Sequence, residues 1–435
     1  MRISVIGCGY LGATHAAAMA ELGFEVLGVD VDETKLKALV NGEVPFYEPG
    51  LAPLLKTHVD SGRLRFTTSM DEAGEFADVH FVCVGTPQTP GSNAADLRYV
   101  DAAVGGLAPH LRTGAVVVGK STVPVGTAAR LAGLLAELAV DGVDLAWNPE
   151  FLREGKAVAD TLRPDRLVFG TTSARVEQVL RQVYAGPIAA GSPVLVTDLP
   201  TAELVKVSAN GFLATKISYI NAIAEVCDAT GADVAVLADA LGLDVRIGRG
   251  FLNAGLGFGG GCLPKDIRAF AARAGELGVN SAVALLREVD EINMRQRQRV
   301  IDLAAHQLGG SVLGKRVGVL GCAFKPGTDD VRDSPALNVA AALHLKGAQV
   351  TVYDPAAGGT AQQLFPTLAY ADTWRQAATG ADVVLVLTEW AEFVQLEPEV
   401  IGAVVGARNV VDGRNCLDAA AWRAAGWTLA RLGRP

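Results

Sequence analysis

A glycine pattern at the start of the chain constrains the fold most strongly. Gly7, Gly9 and Gly12 form GxGxxG between an apolar run at 3–6 and a helical stretch, and Asp30 ends the next apolar run. Such glycines permit a tight turn, close approach of the backbone to a pyrophosphate, and close packing of helix on strand. A carboxylate at position 30 can accept a hydrogen bond from a ribose 2′-hydroxyl and would repel a 2′-phosphate. The pattern predicts a dinucleotide-binding unit that prefers NAD to NADP; the alternative is that the glycines serve packing alone.

Apolar runs alternate with helix-length segments after this unit. Further runs that end in a polar loop are ADVHFVCVGTP (77–87), GAVVVGKSTVP (114–124) and VDLAWNPE (143–150). Such alternation is typical of a parallel, doubly wound sheet, which the run at 3–6 opens as the first strand. Ligands of these sheets bind at the carboxyl ends of the strands. Thr86, Thr122 and Glu150, which directly follow predicted strands, are therefore candidate site residues.

The middle of the chain reads as helical and the last third as α/β again. Apolar residues recur at helical spacing from Thr201 to about Gly231 and from about Ser281 to Leu308. KRVGVLGCAF (315–324) then opens a second series of strands. The sequence predicts an α/β fold of two Rossmann-like, doubly wound domains joined by a helical central segment. The predicted domains are residues 1–200, 201–310 and 311–435.

Composition excludes several classes of function. A net charge of −9 over 435 residues disfavours nucleic acid as a partner. The apolar runs are broken before the roughly 18–20 residues that a membrane span needs. Six scattered cysteines without CxxC spacing favour reduced thiols and a cytoplasmic location. The six histidines also lie far apart, so no metal site is predicted.

One cysteine stands in an unusual setting. Cys262 lies within GFGGGCLPKD (257–266), where four glycines surround the thiol and Lys265 and Asp266 follow it. The glycines would let a substrate approach the sulfur, and the charge of Lys265 favours a thiolate. A thiolate that attacks an aldehyde gives a thiohemiacetal, which a second NAD can oxidise to a thioester that water then hydrolyses. The alternative is an incidental loop cysteine.

Other polar residues could serve such chemistry. Lys206 and Asn210 lie one turn apart on a predicted helix and could stabilise an oxyanion, or form a strip that faces water. Glu150 is a candidate base for thioester hydrolysis. Glu154 is equally well explained as an acid in the first turn of a helix. Asp266 could orient Lys206 or a water, or cap the following helix.

Taken in order, the motifs resemble one family over essentially the whole chain. They are GCGYLG, VDVDETK, FYEPGL, VGTP, STVPVGT, NPEFLREG, AELVKVSANGFLATKIS, FLNAG, GFGGGCLPKD, GCAFKPGTDDVRDSPA and VDGRN. By these motifs the chain is similar to the UDP-glucose/GDP-mannose dehydrogenase family. The resemblance implies an NAD-dependent, four-electron oxidation of a sugar C6 alcohol to a carboxylate. It also implies that the second Rossmann-like domain holds the UDP part.

The resemblance assigns roles to individual residues. It implies that Cys262 is the nucleophile, that Lys206 and Asn210 stabilise oxyanions, that Asp266 and Thr122 hold the water, and that Glu150 is the acid/base. The implied NAD contacts are Gly7, Gly9, Tyr10, Leu11, Gly12, Asp30, Lys35, Thr86, Thr122, Glu154, Lys265 and Arg332. The implied substrate contacts are Glu150, Phe151, Leu152, Arg153, Glu154, Lys206, Asn210, Arg246, Phe251, Leu252, Asn253, Ala254, Gly255, Gly259, Lys325 and Arg414. By position alone, Lys35 is better explained as a solvated helix charge.

The substrate and the assembly are expectations from the resemblance. FLNAG and FYEPGL resemble the UDP-glucose branch more than the branches that oxidise GDP-mannose or UDP-N-acetyl amino sugars. Arg246 matches an arginine that reaches the sugar of a neighbouring subunit, which implies a homodimer. A rival hypothesis is a non-catalytic, NAD-responsive binding protein on the same scaffold. The sequence signature of that rival would be loss of the thiol or of Lys206, and both are present.

Overall fold

A computed structural model describes residues 1–434, which form two compact units. The first unit comprises residues 1–209 and the second begins at Asn210. Each unit is built on one sheet covered by helices, with helical segments at the start of the second unit. The predicted fold class, with two Rossmann-like sheets and a helical central segment, is confirmed. Among residues 1–434, no helix is both long and apolar enough to cross a membrane.

The first unit contains an eight-stranded sheet in the order β3-β2-β1-β4-β5-β6-β7-β8. Its strands are β1 (Arg2–Ile6), β2 (Glu25–Val29), β3 (Leu64–Thr67), β4 (Val79–Val82), β5 (Val116–Gly119), β6 (Asp144–Trp147), β7 (Leu167–Gly170) and β8 (Val194–Thr197). All neighbours run parallel except β6 and β7. The chain reverses its direction across the sheet between β1 and β4, and ligands of such sheets bind at this switch point.

Helices cover both faces of this sheet, so the central strands are buried on both sides and read as continuous apolar runs. The helices are α1 (Tyr10–Glu21), α2 (Glu33–Val40), α3 (Leu51–Asp60), α4 (Met70–Phe76), α5 (Arg98–Leu107), α6 (Thr127–Leu138), α7 (Ala157–Leu162), α8 (Ala174–Val183) and α9 (Ala185–Ala189), with a 3₁₀ turn at Ala108–His110. Two apolar clusters form the core, one on each face of the sheet. Helix α1 is alanine-rich and buried from Gly12 to Ala20, because its small side chains allow it to pack closely on the strands.

The second unit contains a six-stranded parallel sheet in the order β11-β10-β9-β12-β13-β14. Its strands are β9 (Arg316–Leu320), β10 (Gln349–Tyr353), β11 (Ala369–Tyr370), β12 (Val383–Val386), β13 (Asn409–Asp412) and β14 (Thr428–Arg431). The helices within it are α11 (Val234–Gly242), α12 (Leu263–Glu276), α13 (Asn280–Gln307), α14 (Pro335–Leu345), α15 (Gly358–Leu364), α16 (Trp374–Ala378), α17 (Ala391–Val394), α18 (Pro398–Gly402) and α19 (Ala419–Ala424). Here the switch point lies between β9 and β12.

One long helix, α10 (Leu199–Thr230), contains the boundary between the units. Its first turns belong to the first unit, where the buried carboxylate of Glu203 accepts from the N–H groups of Gly126 and Ala128 at 2.8 and 2.7 Å. This acid satisfies backbone donors at the start of α6, as negative groups at helix N-termini do. The contact fixes the start of α10 and with it the position of Lys206, which lies one turn further along the helix.

Candidate active site

The glycine loop has the geometry that a pyrophosphate site requires. Gly7 has φ +91°, and its N–H donates to the carbonyl of Val29 at 2.7 Å. A Cβ on Gly12 would lie 1.7 Å from the carbonyl oxygen of Gly7, so only glycine permits this approach of helix and loop. A Cβ on Gly9 would meet nothing within 4 Å. The backbone at Gly9, which precedes the first turn of α1, is therefore open to an anion.

Asp30 is held as a carboxylate beside this loop. It accepts from the N–H groups of Cys8 at 2.8 Å and Asp32 at 3.0 Å, and from Lys35 Nζ at 2.8 Å. Burial alone would raise the pKa of Asp30, but these hydrogen bonds outweigh burial and lower it. An anionic acceptor at the end of β2 fits the ribose of NAD. The ammonium group of Lys35 contacts Asp30, and its side chain is 28% exposed. The predicted contact of Lys35 with NAD stays a prediction.

Thr86 and Thr122 follow the neighbouring strands β4 and β5. The hydroxyl of Thr86 donates to the carbonyl of Thr122 at 2.8 Å, and the hydroxyl of Ser121 donates to the carbonyl of Val84 at 2.7 Å. These bonds join the two loops at the carboxyl edge of the sheet. The predicted contacts of both threonines with NAD, and the role of Thr122 in holding water, stay predictions.

Glu150 and Lys206 form an ion pair within the first unit. Lys206 Nζ lies 2.9 Å from Glu150 Oε1, and the side chains are only 7% and 12% exposed. The second oxygen of Glu150 accepts from the N–H of Leu152 at 2.7 Å. The ring of Phe151 lies 5.7 Å from Lys206 Nζ and packs under the guanidinium of Arg166. The alternative that Lys206 and Asn210 form a polar strip facing water is wrong, since both side chains are buried.

The rest of the turn after β6 is fixed by its own contacts. Arg153 forms a two-point ion pair with Asp160, at 2.9 and 2.6 Å. The N–H of Gly155, the residue after Glu154, donates to Glu48. Helix α7 begins at Ala157, so Glu154 lies outside it rather than in its first turn. The substrate contacts predicted for residues 150–154 stay predictions.

In the second unit, Cys262 directly precedes helix α12. It is the exposed one among the six cysteines, none of which forms a disulfide bond. As the N-cap residue of a 14-residue helix, it lies where the helix dipole stabilises a thiolate. No group of three or more His, Cys, Asp or Glu residues within residues 1–434 could hold a metal ion.

The glycines around Cys262 allow close packing within the second unit. A Cβ on each would collide with neighbouring groups at 2.2–2.8 Å. The colliding groups for Gly257, Gly259, Gly260 and Gly261 are Asn293, Asp333, Phe324 and Arg332. Gly257, Gly259 and Gly260 are therefore needed for packing against α13 and the 324–333 segment, whereas a Cβ on Gly261 would meet the far end of a flexible side chain. The predicted access of a substrate to the sulfur stays a prediction.

Asp266 is buried and organises the residues beside the thiol. Its carboxylate accepts from Asn210 Nδ2 at 2.7 Å and is paired with Lys265. Both oxygens are thus engaged with side chains, so the alternative of a helix cap does not describe its contacts. Arg268, two residues further along α12, is held by Asp290 at 2.8 Å and by Asp333 at 3.0 Å. This network anchors the helix that begins at the thiol.

The remaining predicted residues of the second unit lie near that loop or on the surface. Arg332 is paired at two points with Asp330, which also accepts from the N–H of Gly261 at 3.2 Å. Arg414 donates to the carbonyls of Leu387, Gly257 and Phe324 at 2.8–3.1 Å, as a clamp between three segments. Lys325 lies over the ring of Phe324 at 5.6 Å.

The FLNAG loop packs on the segment that contains Arg414. The N–H of Gly255 donates to Asn221, and Asn415 donates to the carbonyl of Ala254. Leu252 is buried, Asn253 accepts from Arg249, and Phe251 is exposed with φ +64°. Arg246 is 87% exposed and paired with Asp244 at 2.6 Å. A substrate role for these residues stays a prediction.

Two buried polar residues were missed by sequence reasoning. Glu48 belongs to FYEPGL, a motif that contributed to the family resemblance without a role predicted for this residue, and it is 6% exposed. Lys120 directly follows the apolar run of β5, and a charged residue at a predicted strand end was the signal that could have found it. Its ammonium group donates to Asn148 Oδ1 at 2.9 Å and lies 3.2 Å from the hydroxyl of Tyr184.

A small cavity adjoins this lysine. Its volume is about 40 Å³, and Lys120, His15, Asn148, Glu150 and Tyr184 are among the residues that line it. A cavity of this size with several polar side chains in its wall can hold a water molecule. Burial lowers the pKa of His15, and the charge of Lys120 lowers it further, so the imidazole is neutral.

Comparison with known proteins decides the family. Three family models match in order: the NAD-binding domain of the UDP-glucose/GDP-mannose dehydrogenases over residues 1–187, the central domain over 200–295 and the UDP-binding domain over 318–419. The chain belongs to the UDP-glucose/GDP-mannose dehydrogenase family. The glycine loop and Asp30 therefore lie in the NAD-binding domain of this family, and the six-stranded sheet lies largely in its UDP-binding domain.

Individual members of this dehydrogenase family align with the whole chain. The UDP-glucose 6-dehydrogenase TuaD of Bacillus subtilis is 41% identical, over 100% of this chain and 93% of the relative. A solved UDP-glucose dehydrogenase from Pyrobaculum islandicum has a TM-score of 0.92 at 38% identity and covers 100% of this chain and 98% of its own. A UDP-D-ManNAc dehydrogenase from Pyrococcus horikoshii has a TM-score of 0.87 at 27% identity, covering 100% and 99%.

Proposed function

We propose that the chain oxidises C6 of UDP-glucose from an alcohol to a carboxylate with two NAD, giving UDP-glucuronate. The relatives named for UDP-glucose share 41% and 38% of their residues with it over nearly their full length, whereas the amino-sugar enzyme shares 27%. The rival of a non-catalytic binding protein has no support, because Cys262, Lys206 and their polar neighbours are all in place.

The observation that carries this proposal is the exposed thiol at the start of α12. An enzyme that stops at an aldehyde or ketone needs no nucleophile, but a second hydride transfer needs the aldehyde converted, at the same oxidation level, to a tetrahedral carbon that carries both a hydrogen and a hydroxyl. Addition of the Cys262 thiol across the C=O bond forms a C–S bond and moves the thiol proton to the oxygen. Loss of hydride from that thiohemiacetal gives a thioester, and water releases the acid and regenerates the thiol.

The polar residues have roles at successive steps. The glycine loop and Asp30 would hold NAD, and two NAD molecules in succession would each accept one hydride. Lys206 and Asn210 donate to the sugar oxygen as it gains negative charge. Glu150, which accepts from Lys206, removes a proton from the water that attacks the thioester. Asp266 orients Asn210.

Stoichiometry tests the proposal. With limiting UDP-glucose and excess NAD we expect two NADH and one UDP-glucuronate per sugar, measured by absorbance and chromatography. Cys262→Ser, which lacks the thiol, should form no more than one NADH per active site and no acid. Cys416→Ser, at a half-buried thiol whose contact with Asp412 a hydroxyl can also make, is the matched thiol-to-hydroxyl control for handling and folding. One NADH with a stable carbonyl product from the wild-type protein, or full acid production by the serine variant, would reject the mechanism.

A panel of nucleotide sugars separates the substrate alternatives. UDP-glucose should have the highest kcat/KM, ahead of UDP-N-acetylmannosamine and GDP-mannose, each assayed by NADH release. A higher kcat/KM for an amino sugar with the same two-NADH stoichiometry would keep the chemistry and replace the substrate.

The proposed assembly is a homodimer formed through the exposed face of α10. Phe212, Tyr219 and Val226 are 66%, 52% and 56% exposed and recur every seven residues. An apolar seam with this period is how one helix packs along another helix, so a second copy of the chain is the proposed occupant. Arg246 would then reach the neighbouring active site. A cytoplasmic location is proposed from the six cysteines, none of which forms a disulfide bond.

A further inference from the structure

The FYEPGL motif places one buried carboxylate between two loops of the first unit. Glu48 lies in the connection between α2 and α3. Its Oε2 accepts from the N–H of Gly155 at 2.6 Å and from the hydroxyl of Tyr10, and its Oε1 accepts from the N–H of Ala157 at 2.7 Å. A carboxylate that accepts several hydrogen bonds holds its donors in a fixed geometry.

The two sides of this junction belong to different ligand sites. Tyr10 directly follows Gly9 of the glycine loop and begins α1, and its ring packs on Phe46 of FYEPGL with centroids 4.9 Å apart. Burial and the carboxylate of Glu48 raise the pKa of Tyr10, so its hydroxyl remains a donor. Gly155 and Ala157 end the turn that carries Glu150 and the predicted sugar contacts.

We propose that Glu48 couples the binding of NAD to the binding of the nucleotide sugar. It is a positioning residue, since it touches neither ligand in this role and acts through Tyr10 on one side and through the 155–157 backbone on the other. A ligand that orders one loop also orders the junction. The second ligand then binds to a loop that has already lost part of its conformational entropy, so its binding costs less. The inference rests on the proposed function, because the turn at 150–157 is taken as the sugar site.

The coupling is measurable as a ratio of dissociation constants. NADH fluorescence is titrated with and without saturating UDP-glucuronate, a product pair that does not turn over. Coupling factors between sites are typically about 5–150-fold, and we expect the wild-type ratio to be at least about fivefold. The reciprocal titration of UDP-glucuronate with and without NADH should give the same factor.

Two variants separate coupling from folding. Glu48→Gln replaces an acceptor oxygen with an NH₂ that opposes the backbone donors, so the ratio should fall to about 1 and UDP-glucuronate alone should bind more weakly. Tyr10→Phe removes the hydroxyl that donates to Glu48 and accepts from the N–H of Gly155 at 3.2 Å, but it leaves the bonds from the 155–157 backbone to Glu48 in place. Its ratio should also fall to about 1, while the affinity for UDP-glucuronate alone should fall less than in Glu48→Gln. Tyr99→Phe, on α5 and 53% exposed, removes a tyrosine hydroxyl outside the junction and should keep the wild-type ratio.

The outcomes are distinct from those of the functional proposal. A wild-type ratio near 1, or a wild-type ratio retained by both Glu48→Gln and Tyr10→Phe, would overturn the coupling role. Failure of the wild-type protein to produce two NADH from UDP-glucose would instead overturn the function. If Glu48→Gln does not fold, the Tyr10→Phe titration decides the matter alone.

Discussion

Lys120 is a buried cation whose ammonium group donates to neutral oxygens of Asn148. The pKa of Lys120 is lowered from 10.5 to about 8, mainly by burial. Cys83 and Glu150 act to raise this pKa, and the charge of Lys206 lowers it further. The protonated form is thus more costly in the folded protein than in the unfolded chain. Between pH 8 and 10.5 the unfolded state binds more protons, so stability from this residue rises with pH across that window.

Lys120→Met tests this linkage. The free energy of unfolding of the wild-type protein relative to Lys120→Met should increase by about 3 kcal/mol between pH 7 and 10.5, since each pKa unit is about 1.4 kcal/mol. Urea unfolding of both proteins across this range measures the difference. Lys37→Met, which removes a lysine that is 76% exposed on α2, is the matched control for loss of a surface charge. A constant difference for Lys120→Met would mean that the lysine is not held as a desolvated cation.

Individual residues were predictable where a local pattern carries the chemistry. Asp30 and the three glycines follow from spacing within one βαβ unit, and Cys262 from its glycine-rich surroundings. The role of Glu48 did not follow, because its backbone partner Ala157 lies 109 residues away. Neither did the packing reason for the glycines near Cys262, since it depends on Asn293 and Phe324, which only the fold brings to that loop.

At the scale of elements, the junction of the glycine loop and α1 depends on two glycines for different reasons. Gly12 has no room for a Cβ, because the carbonyl of Gly7 lies where it would stand. Gly9 has room within the protein, so its lack of a side chain benefits only a bound molecule. A substitution at Gly12 should therefore affect mainly stability, and a substitution at Gly9 should affect mainly cofactor binding.

Gly12→Ala and Gly9→Ala form the matched pair. Gly12→Ala should lower the free energy of unfolding by about 2 kcal/mol or more, because overpacking against backbone outweighs its better helix propensity. Gly9→Ala should change it by less than about 0.5 kcal/mol, but should weaken NADH binding about tenfold, or about 1.4 kcal/mol. Urea unfolding and NADH fluorescence measure the two effects. Equal destabilisation by both variants, or unchanged NADH binding by Gly9→Ala, would contradict this division.

Long regular elements were also predictable from sequence. The helix expected from Thr201 to about Gly231 is α10 (Leu199–Thr230), and the one expected from about Ser281 is α13, which begins at Asn280. Apolar periodicity without breakers defines such helices over many turns. The antiparallel pairing of β6 and β7 was not predicted, since the two strands are paired only through Trp147 and Gly170.

At the scale of the whole molecule, the exposed seam on α10 carries a prediction about assembly. Phe212→Asp places a charge in the proposed contact between two copies, where its desolvation is costly. We expect light scattering to show a dimer for the wild-type protein and a monomer for this variant. Leu345→Asp changes an equally apolar residue that is 86% exposed on α14, and should remain dimeric. A wild-type monomer, or a dimeric Phe212→Asp protein, would place the contact elsewhere or remove it.

The contrast between one exposed thiol and five that are buried or half-buried has a practical consequence. Cys8, Cys83, Cys227 and Cys322 are buried, and Cys416 is half-buried, whereas Cys262 is open to solvent. A bulky maleimide dye should attach at a single position without any engineering of the chain. The amount of dye bound would then measure the number of molecules with an intact Cys262 in a purified sample. Specific activity could be expressed per reactive thiol instead of per total protein.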